Sequence, residues 1–336
     1  MEHAAEQSTP DRRSKYANTA NLANRICIEI RDFAVYLVVR TIICVIQSLT
    51  PRACERLSDG LAWFFGDVLK IRQSVVDDNL KHALPDRTAE ERATIRRNMW
   101  RHLFRMICEI ALAPRKIHES NWRDYVTIEG RRQLVKPFLD DRPLVAVTAH
   151  FGNFEMCGYI SGLLGFPTYT IARTLDNRHL HKFLMQFRGA TGQFVIPTKG
   201  TGELAQSIIK SKETLALLGD HFGGKKGCWV EFFNRPASCH KAIAVFSLAN
   251  DAPLVVLYAN RRERLLHFNL NCVGVFDPVI DEKISTIPDL TRWYNEHIEN
   301  GVRKAPDQYW WLHRRWKDPR KKKPAIKLTA KLRTAA

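Results

Sequence analysis

The stretch most able to do chemistry is Thr148-Ala149-His150-Phe151-Gly152-Asn153-Phe154-Glu155, where an apolar run from Leu144 to Thr148 delivers a histidine to a turn and a carboxylate follows. An imidazole steadied by a carboxylate at one nitrogen can take a proton at the other, the logic of a general base with an orienting partner. Neither serine nor cysteine lies within the motif, so the pair suits direct attack by an activated substrate hydroxyl better than a covalent intermediate. Gly152 permits an unusual backbone angle or a close approach, and Asn153 is a good helix N-cap. Glu155 then falls in the first helical turn. The backbone amides of Gly152 and Asn153, helped by the helix dipole, are the candidates for stabilising an oxyanion.

Spacing alone would not single this pair out. His313 and Asp318 repeat it within the basic segment HRRWKD, but no apolar strand precedes them, and we treat that copy as a decoy. What favours His150 is its place at a strand end, since ligands in open α/β sheets gather at the carboxyl ends of strands.

The elements that must position the motif follow from periodicity. Ile26 to Leu49 is strongly apolar yet carries Glu29, Arg31, Asp32 and Arg40, and Pro51 then breaks the run. It reads first as an interfacial or monotopic membrane anchor, second as a single span with snorkelling arginines, and otherwise as an ordinary buried helix. Thr88 and Glu91 have the form of a capping box, and apolar residues at helical spacing continue to about Ala113. From Pro143 short β-rich runs alternate with helical ones, which predicts an α/β fold with a central, mostly parallel sheet flanked by helices behind an N-terminal helical anchor. The division expected is a disordered polar lead over 1–20, membrane-associated helices over 21–70, a catalytic domain over 71–318 and a flexible basic tail over 319–336.

The chain has 336 residues, of which 45% are apolar, enough for a substantial core, and a formal net charge of +17. From Arg314 onward ten Lys or Arg oppose Asp318 alone, so the end of the chain holds +9 of that charge. Such a balance points to anionic partners, either a phospholipid surface, a phosphorylated substrate, an acidic protein or nucleic acid. No helix-turn-helix, zinc-finger or RNP pattern accompanies the charge, which argues against nucleic acid. Eight cysteines without a C-x-x-C pair or zinc spacing read as free thiols in a reducing compartment, with no metal site.

Several segments, taken in order, resemble one family. TAHFGNFE looks like the His-x4-Glu motif of the bacterial lipid A lauroyl/myristoyl acyltransferases, a branch of the lysophospholipid acyltransferase group. ARTLDNRHLHKFLMQFRGATG is similar to that family's second block, with Arg173, Asn177, Arg188 and Gly189 at recognisable positions. LLGDHFGGKKGCWVEFFNRPAS resembles the third, with Asp220, Gly224, Phe233 and Pro236. PLVVLYANRR and APDQYWWLHRRWKD match later blocks, and VVDDNLKHALPDRTAEER resembles the helical lead. The likeness covers roughly residues 70 to 318. This copy departs from the pattern in its long basic tail and in Gly-Lys-Lys within the third block.

The resemblance implies a glycerol-3-phosphate acyltransferase-like fold and an O-acyltransferase. Its acyl donor is a thioester, on acyl carrier protein or coenzyme A, and no further cofactor is needed. The acceptor is a phosphorylated lipid A precursor, or a related glycolipid or lysophospholipid. The place of work is the cytoplasmic face of the inner membrane, in contact with its phospholipids. A basic nucleic-acid- or lipid-binding protein is the non-enzyme alternative. By carry-over His150 is the base and Glu155 its partner, while Arg173 and Arg188 hold anionic groups of acceptor or donor, unless they serve ordinary ion pairs. Asn177 joins them as a substrate-binding residue. Asp220, at the end of the apolar run TLALLG, orients an arginine or the incoming hydroxyl, or caps a loop. The aromatic string Tyr309-Trp310-Trp311 belongs at a membrane interface or in the core.

Overall fold

The computed structural model describes residues 12–198 and 201–317. The start of the expected polar lead and the basic tail, Asp318 included, lie outside the described residues; from Arg12 the chain is helical. Helix α1 (Arg12–Ser48) is one continuous element of 37 residues. Thr50 caps α2 (Pro51–Trp63), its side chain accepting from the Ala53 amide at 3.2 Å, and Pro51 sits where a proline is tolerated. A π-helical turn at Phe64–Val68 leads to α3 (Gln73–Ala83) and α4 (Ala89–Lys116). The capping box read from Thr88 and Glu91 is present, with the Glu91 amide 3.2 Å from the threonine hydroxyl and the Thr88 amide 2.7 Å from the glutamate.

Among the described residues no helix is long and apolar enough to cross a membrane. The charges that interrupt α1 instead tie it to the rest of the protein. Glu29 accepts from His179 and pairs with Arg178, each at 2.6 Å, and the Arg40 guanidinium lies over the Phe183 ring. The other face of α1 leaves Ile30, Val38 and Ile42 more than half exposed.

The remaining chain alternates as expected: β1 (Val126–Glu129), α5 (Arg131–Leu139), β2 (Leu144–Thr148), α6 (Phe154–Leu163), β3 (Thr168–Ala172), α7 (Arg178–Gly189), β4 (Gln193–Pro197), α8 (Thr201–Lys210) and β5 (Thr214–Leu218). A two-stranded hairpin, β6 (Cys228–Glu231) with β7 (Pro236–Cys239), precedes α9 (Ala242–Leu248), β8 (Leu254–Arg261), β9 (Phe268–Phe276) and α10 (Ile287–Lys304). The main sheet has seven strands in the order β1-β9-β8-β2-β5-β3-β4. All neighbours are parallel except β8 and β9, so the fold is α/β with a mostly parallel sheet.

Strand β2 shows why both faces need helices. Its residues Leu144 to Ala146 and Val147 are all buried, with Val145 and Val147 in one apolar core and Leu144 and Ala146 in the other. A run that is apolar at every position cannot face water on either side, and each of its Leu and Val side chains contributes roughly 1.5–3 kcal/mol on burial. The segment from Pro306 to Trp316 then closes over the carboxyl ends of the central strands. There the Trp310 amide donates to the His150 carbonyl at 2.9 Å, and the Gly152 amide donates to the Gln308 carbonyl at 2.9 Å.

Candidate active site

Strands β2 and β5 are adjacent, parallel and in register, with Thr148 opposite Leu218. Two residues beyond that pair, one strand offers His150 and the other Asp220. The Nδ1–H of His150 donates to Asp220 Oδ1 at 2.9 Å, and the His150 backbone amide donates to Oδ2 at 3.0 Å. Asp220 is wholly buried, so its carboxylate is spent on the histidine, fixing ring and backbone together. Nε2 is thereby left as the basic nitrogen, and among the described residues nothing hydrogen-bonds to it.

Burial pulls the His150 imidazole down, but the Asp220 charge, its hydrogen bond and the field of Glu155 more than reverse this, and the ring lies above its ordinary value. Burial pushes the Asp220 carboxyl up, and the attraction of His150, with smaller contributions from His313 and His221, outweighs it, so Asp220 is held well below the usual carboxylate range. Burial and the neighbouring His150 keep His221 below its ordinary value, and burial above all holds His313 down to about 4. Of the three rings His150 is thus the one whose environment favours accepting a proton, while those of His221 and His313 oppose it. His221 stacks on His150 with centroids 4.2 Å apart and planes 15° from parallel. Phe154 and Trp310 meet the His150 ring edge-on at 5.0 and 5.5 Å.

Glu155 does not take the hydrogen bond expected of it. It lies in the first turn of α6 as read, but its carboxylate is held by Arg188 in a two-point ion pair, Nε to Oε2 being 3.0 Å. The reason is topological: the register of β2 with β5 gives Asp220 the closer approach to Nδ1, and α7 brings a guanidinium to Glu155. The pair is nearly buried, each side chain being 12–13% exposed. Glu155 therefore acts on His150 through its field and not through a bond.

The oxyanion candidates are also engaged elsewhere. The Gly152 amide serves Gln308, and the Asn153 amide donates to the Ala259 carbonyl at 2.7 Å. Gly152 does have the conformation its type suggested, φ +61°, and a Cβ there would run into the Ala259 carbonyl. Asn153 is the N-cap, accepting from the Met156 amide at 3.2 Å, while its own amide group donates to Glu109 at 2.9 Å. Arg173 projects into solvent, paired with Asp176 at 3.1 Å. Asn177 caps α7 by accepting from the amides of His179 and Leu180, and it ties that helix to α1 through the Asp32 carbonyl at 2.8 Å. Of the residues picked from the sequence, His150, Glu155, Arg188 and Asp220 are brought to one place, whereas Arg173 and Asn177 are not in contact with it.

Some neighbours went unread. His221 follows Asp220 directly, which was the available signal. Tyr309 and Trp311 are 1% exposed and pack in the core beneath the site, while Trp310 between them is partly exposed beside His150. Behind the catalytic turn, His102 Nε2–H donates to the Gly152 carbonyl at 3.1 Å and its Nδ1 accepts from Arg261 at 2.9 Å. Arg261 is in turn held by buried Glu109, with Nη2 to Oε2 at 2.8 Å. Cys157 is no nucleophile, since burial pushes its thiol up to about 12.

Beside the dyad a narrow cavity runs between the sheet and α6, lined mainly by apolar groups such as Phe138, Phe154, Cys157, Ile171 and Leu218. Thr148 stands at one end and Thr168 at the other, and strand register sets them four residues apart, about 13 Å at the rise of a parallel strand. The Glu155–Arg188 pair forms part of its wall.

The site is thus an imidazole–carboxylate pair at the carboxyl ends of parallel strands, beside an apolar cavity. Residues 26–318 match the family model of the bacterial lipid A biosynthesis acyltransferases, and the chain belongs to that family of enzymes. It is 22% identical over 253 residues to the lipid A biosynthesis palmitoleoyltransferase of Escherichia coli K12, covering 74% of this chain and 80% of that protein. It is 25% identical over 293 residues to a lipid A biosynthesis acyltransferase of Haemophilus influenzae, covering 85% and 90%. Among solved structures it bears a loose likeness to the 1-acyl-sn-glycerophosphate acyltransferase of Thermotoga maritima, with TM-score 0.35 and 12% identity over 78% of this chain and the whole of the other.

Proposed function

We propose that this acyltransferase moves a fatty acyl chain from a thioester, carried on acyl carrier protein or coenzyme A, to a hydroxyl of a phosphorylated glycolipid of the lipid A pathway, with His150 as general base. Nε2 takes the hydroxyl proton as the oxygen attacks the thioester carbonyl. The tetrahedral intermediate collapses, the carbon–sulfur bond breaks, and the proton returns from Nε2 to the departing thiolate. Asp220 steadies the imidazolium between these steps. With the Gly152 and Asn153 amides occupied, the developing oxyanion falls to the positive end of α6, whose first-turn amides begin at Phe154.

The observation that carries this reading is the His150–Asp220 pair, delivered by adjacent strands beside an apolar cavity whose wall includes Thr148, Phe154 and Leu218. The cavity accepts the acyl chain, and Arg188, with Glu155, stands where an anionic group of donor or acceptor arrives. The exposed apolar face of α1, with exposed Trp63, Phe64 and Leu69 at the end of α2 and beyond, favours work at a membrane surface. That surface is the cytoplasmic side of the inner membrane, where the donor is made. The basic balance of the chain suits both an acidic carrier protein and a phosphorylated acceptor.

The test supplies membranes carrying the enzyme with radiolabelled tetra-acylated precursor and a panel of acyl-carrier-protein and acyl-coenzyme A donors. Labelled product from wild type that disappears with His150→Ala supports the assignment. Equal product from the two sinks the base, and no product from any donor sinks the acceptor class.

A further inference from the structure

A second cleft, of about 720 Å³, opens behind the catalytic turn between α2, α4 and the end of β8. Its walls are almost entirely polar and include Asp59, Arg101, Arg105, Arg262, Asp307 and Gln308. Neither His150 nor Asp220 takes part in it. Arg261 also reaches the cleft, but its guanidinium is consumed by Glu109 and His102. That leaves three guanidiniums facing two carboxylates.

The three are under-used. Asp59 meets Arg105 at 3.2 Å and Arg101 at 3.5 Å, longer than the 2.7–2.9 Å of a tight charge-assisted bond, and Arg101 gives one further nitrogen to the Asn98 side-chain oxygen at 3.0 Å, which leaves its other nitrogen for a ligand. Arg105 Nε is buried and has no hydrogen-bond partner. Arg262 is exposed, with one guanidinium nitrogen donating to the Thr127 hydroxyl at 3.1 Å. Guanidinium forks that converge on open space with donors to spare match the oxygens of a phosphate group, which accept two at a time from each arginine. The two carboxylates, Asp59 and Asp307, are suited to accept the hydroxyls of whatever bears the phosphate.

We infer that this cleft is a ligand site separate from the catalytic dyad, taking a phosphate group on a hydroxyl-bearing compound, with Arg101, Arg105 and Arg262 as its phosphate-binding residues. The phosphate comes either on a small soluble compound or on a lipid headgroup, since α2 also leads into the exposed Trp63 and Phe64. Occupancy reports to the catalytic turn. The cleft wall contains His102, which holds the Gly152 carbonyl, and Gln308, whose carbonyl accepts from Gly152 and whose side chain clasps the Arg261 backbone at 2.9 Å on both sides.

The experiment reads binding and not turnover, so it stands whether or not the acceptor proposed above is correct. Full-length enzyme in detergent is titrated calorimetrically with inorganic phosphate, with glucose 6-phosphate and with glucose. In parallel it is floated with phosphatidylcholine vesicles with and without phosphatidylglycerol. The expected result is binding of a phosphate-bearing probe but not of glucose, weakened at least about tenfold in the Arg101→Ala/Arg105→Ala double variant and unchanged in His150→Ala. Preference for the soluble phosphates assigns a free compound, and flotation that needs phosphatidylglycerol and is lost in the double variant assigns a headgroup. No binding of any phosphate-bearing probe by wild type overturns the site, as does wild-type affinity in the folded double variant. Should that variant fail to fold, Arg262→Ala alone decides, weaker binding supporting the site and unchanged binding overturning it.

Discussion

In an Asp220→Asn enzyme the imidazole of His150 keeps a neighbour of nearly the same shape and loses its anionic partner. The carboxylate serves two donors, the ring Nδ1–H at 2.9 Å and the backbone amide at 3.0 Å, and a carboxamide has a single oxygen to offer. If that oxygen stays with the backbone, the amide nitrogen faces Nδ1 and drives the ring proton onto Nε2, the nitrogen that must be bare. A swap of this kind behind a catalytic imidazole costs about 10⁴ in rate, roughly 5 kcal/mol of transition-state stabilisation. Glu155→Gln leaves the dyad intact and disturbs only the ion pair with Arg188, so its loss is smaller, on the order of 10 to 10². The assay is kcat/KM for acyl transfer across pH, with melting curves confirming folding. Because Asp220 is what lifts the imidazole above its ordinary value, the acidic limb of the profile moves to lower pH in Asp220→Asn. A larger loss from Glu155→Gln than from Asp220→Asn, or an unmoved limb, would refute the assignment.

Gly152→Ala places a methyl against the Ala259 carbonyl at φ +61°, and we expect a loss of about 1–3 kcal/mol, read as a drop of several degrees in the thermal midpoint. Gly158→Leu pushes into the cavity towards Gln193 and shifts donor preference to shorter acyl chains, as competition between donors of different length will show. Acid weakens the fold, because His313, at about 4, and buried His102, well below its ordinary value, refuse protons that the unfolded chain accepts near 6.5. Their contribution is present above about pH 6.5 and lost towards 4, and that of Asp220 is lost as pH falls further. His150, whose value is raised, has the opposite sign and offsets part of this, so urea midpoints at pH 7 and 5 give the net loss, and an equal or higher midpoint at pH 5 contradicts it. Replacing Ile30, Val38 and Ile42 of α1 by Ser reduces co-sedimentation with phospholipid vesicles without moving the thermal midpoint.

The alternation of apolar runs and helical periods made the α/β sheet legible, because parallel strands buried on both faces carry no polar residue to obscure them. His150 was legible for the same reason: it follows such a strand. Its partner was misread because local spacing favoured Glu155, five residues on, while the true neighbour comes from β5, seventy residues away, by a register that no single strand encodes. In fact LVAVTAH and TLALLGD have the same form, an apolar strand followed at the second position by a chemically able residue. Pairing those two ends, had adjacent strands been assumed, would have joined Asp220 to His150. The amides of Gly152 and Asn153 were misassigned for a related reason, since the carbonyls that take them belong to β8 and to the segment before Tyr309. The charges in α1 could not be interpreted without seeing His179 and Arg178 opposite Glu29.

The strap from Pro306 to Trp316 has a consequence for biosynthesis. Since His150 and Gly152 are each held by a bond to this late stretch, a nascent chain still missing it has a base and its carboxylate but no completed turn around them. The turn that carries the proposed base is therefore completed only once residues 306–316 have been made and have folded back over the sheet.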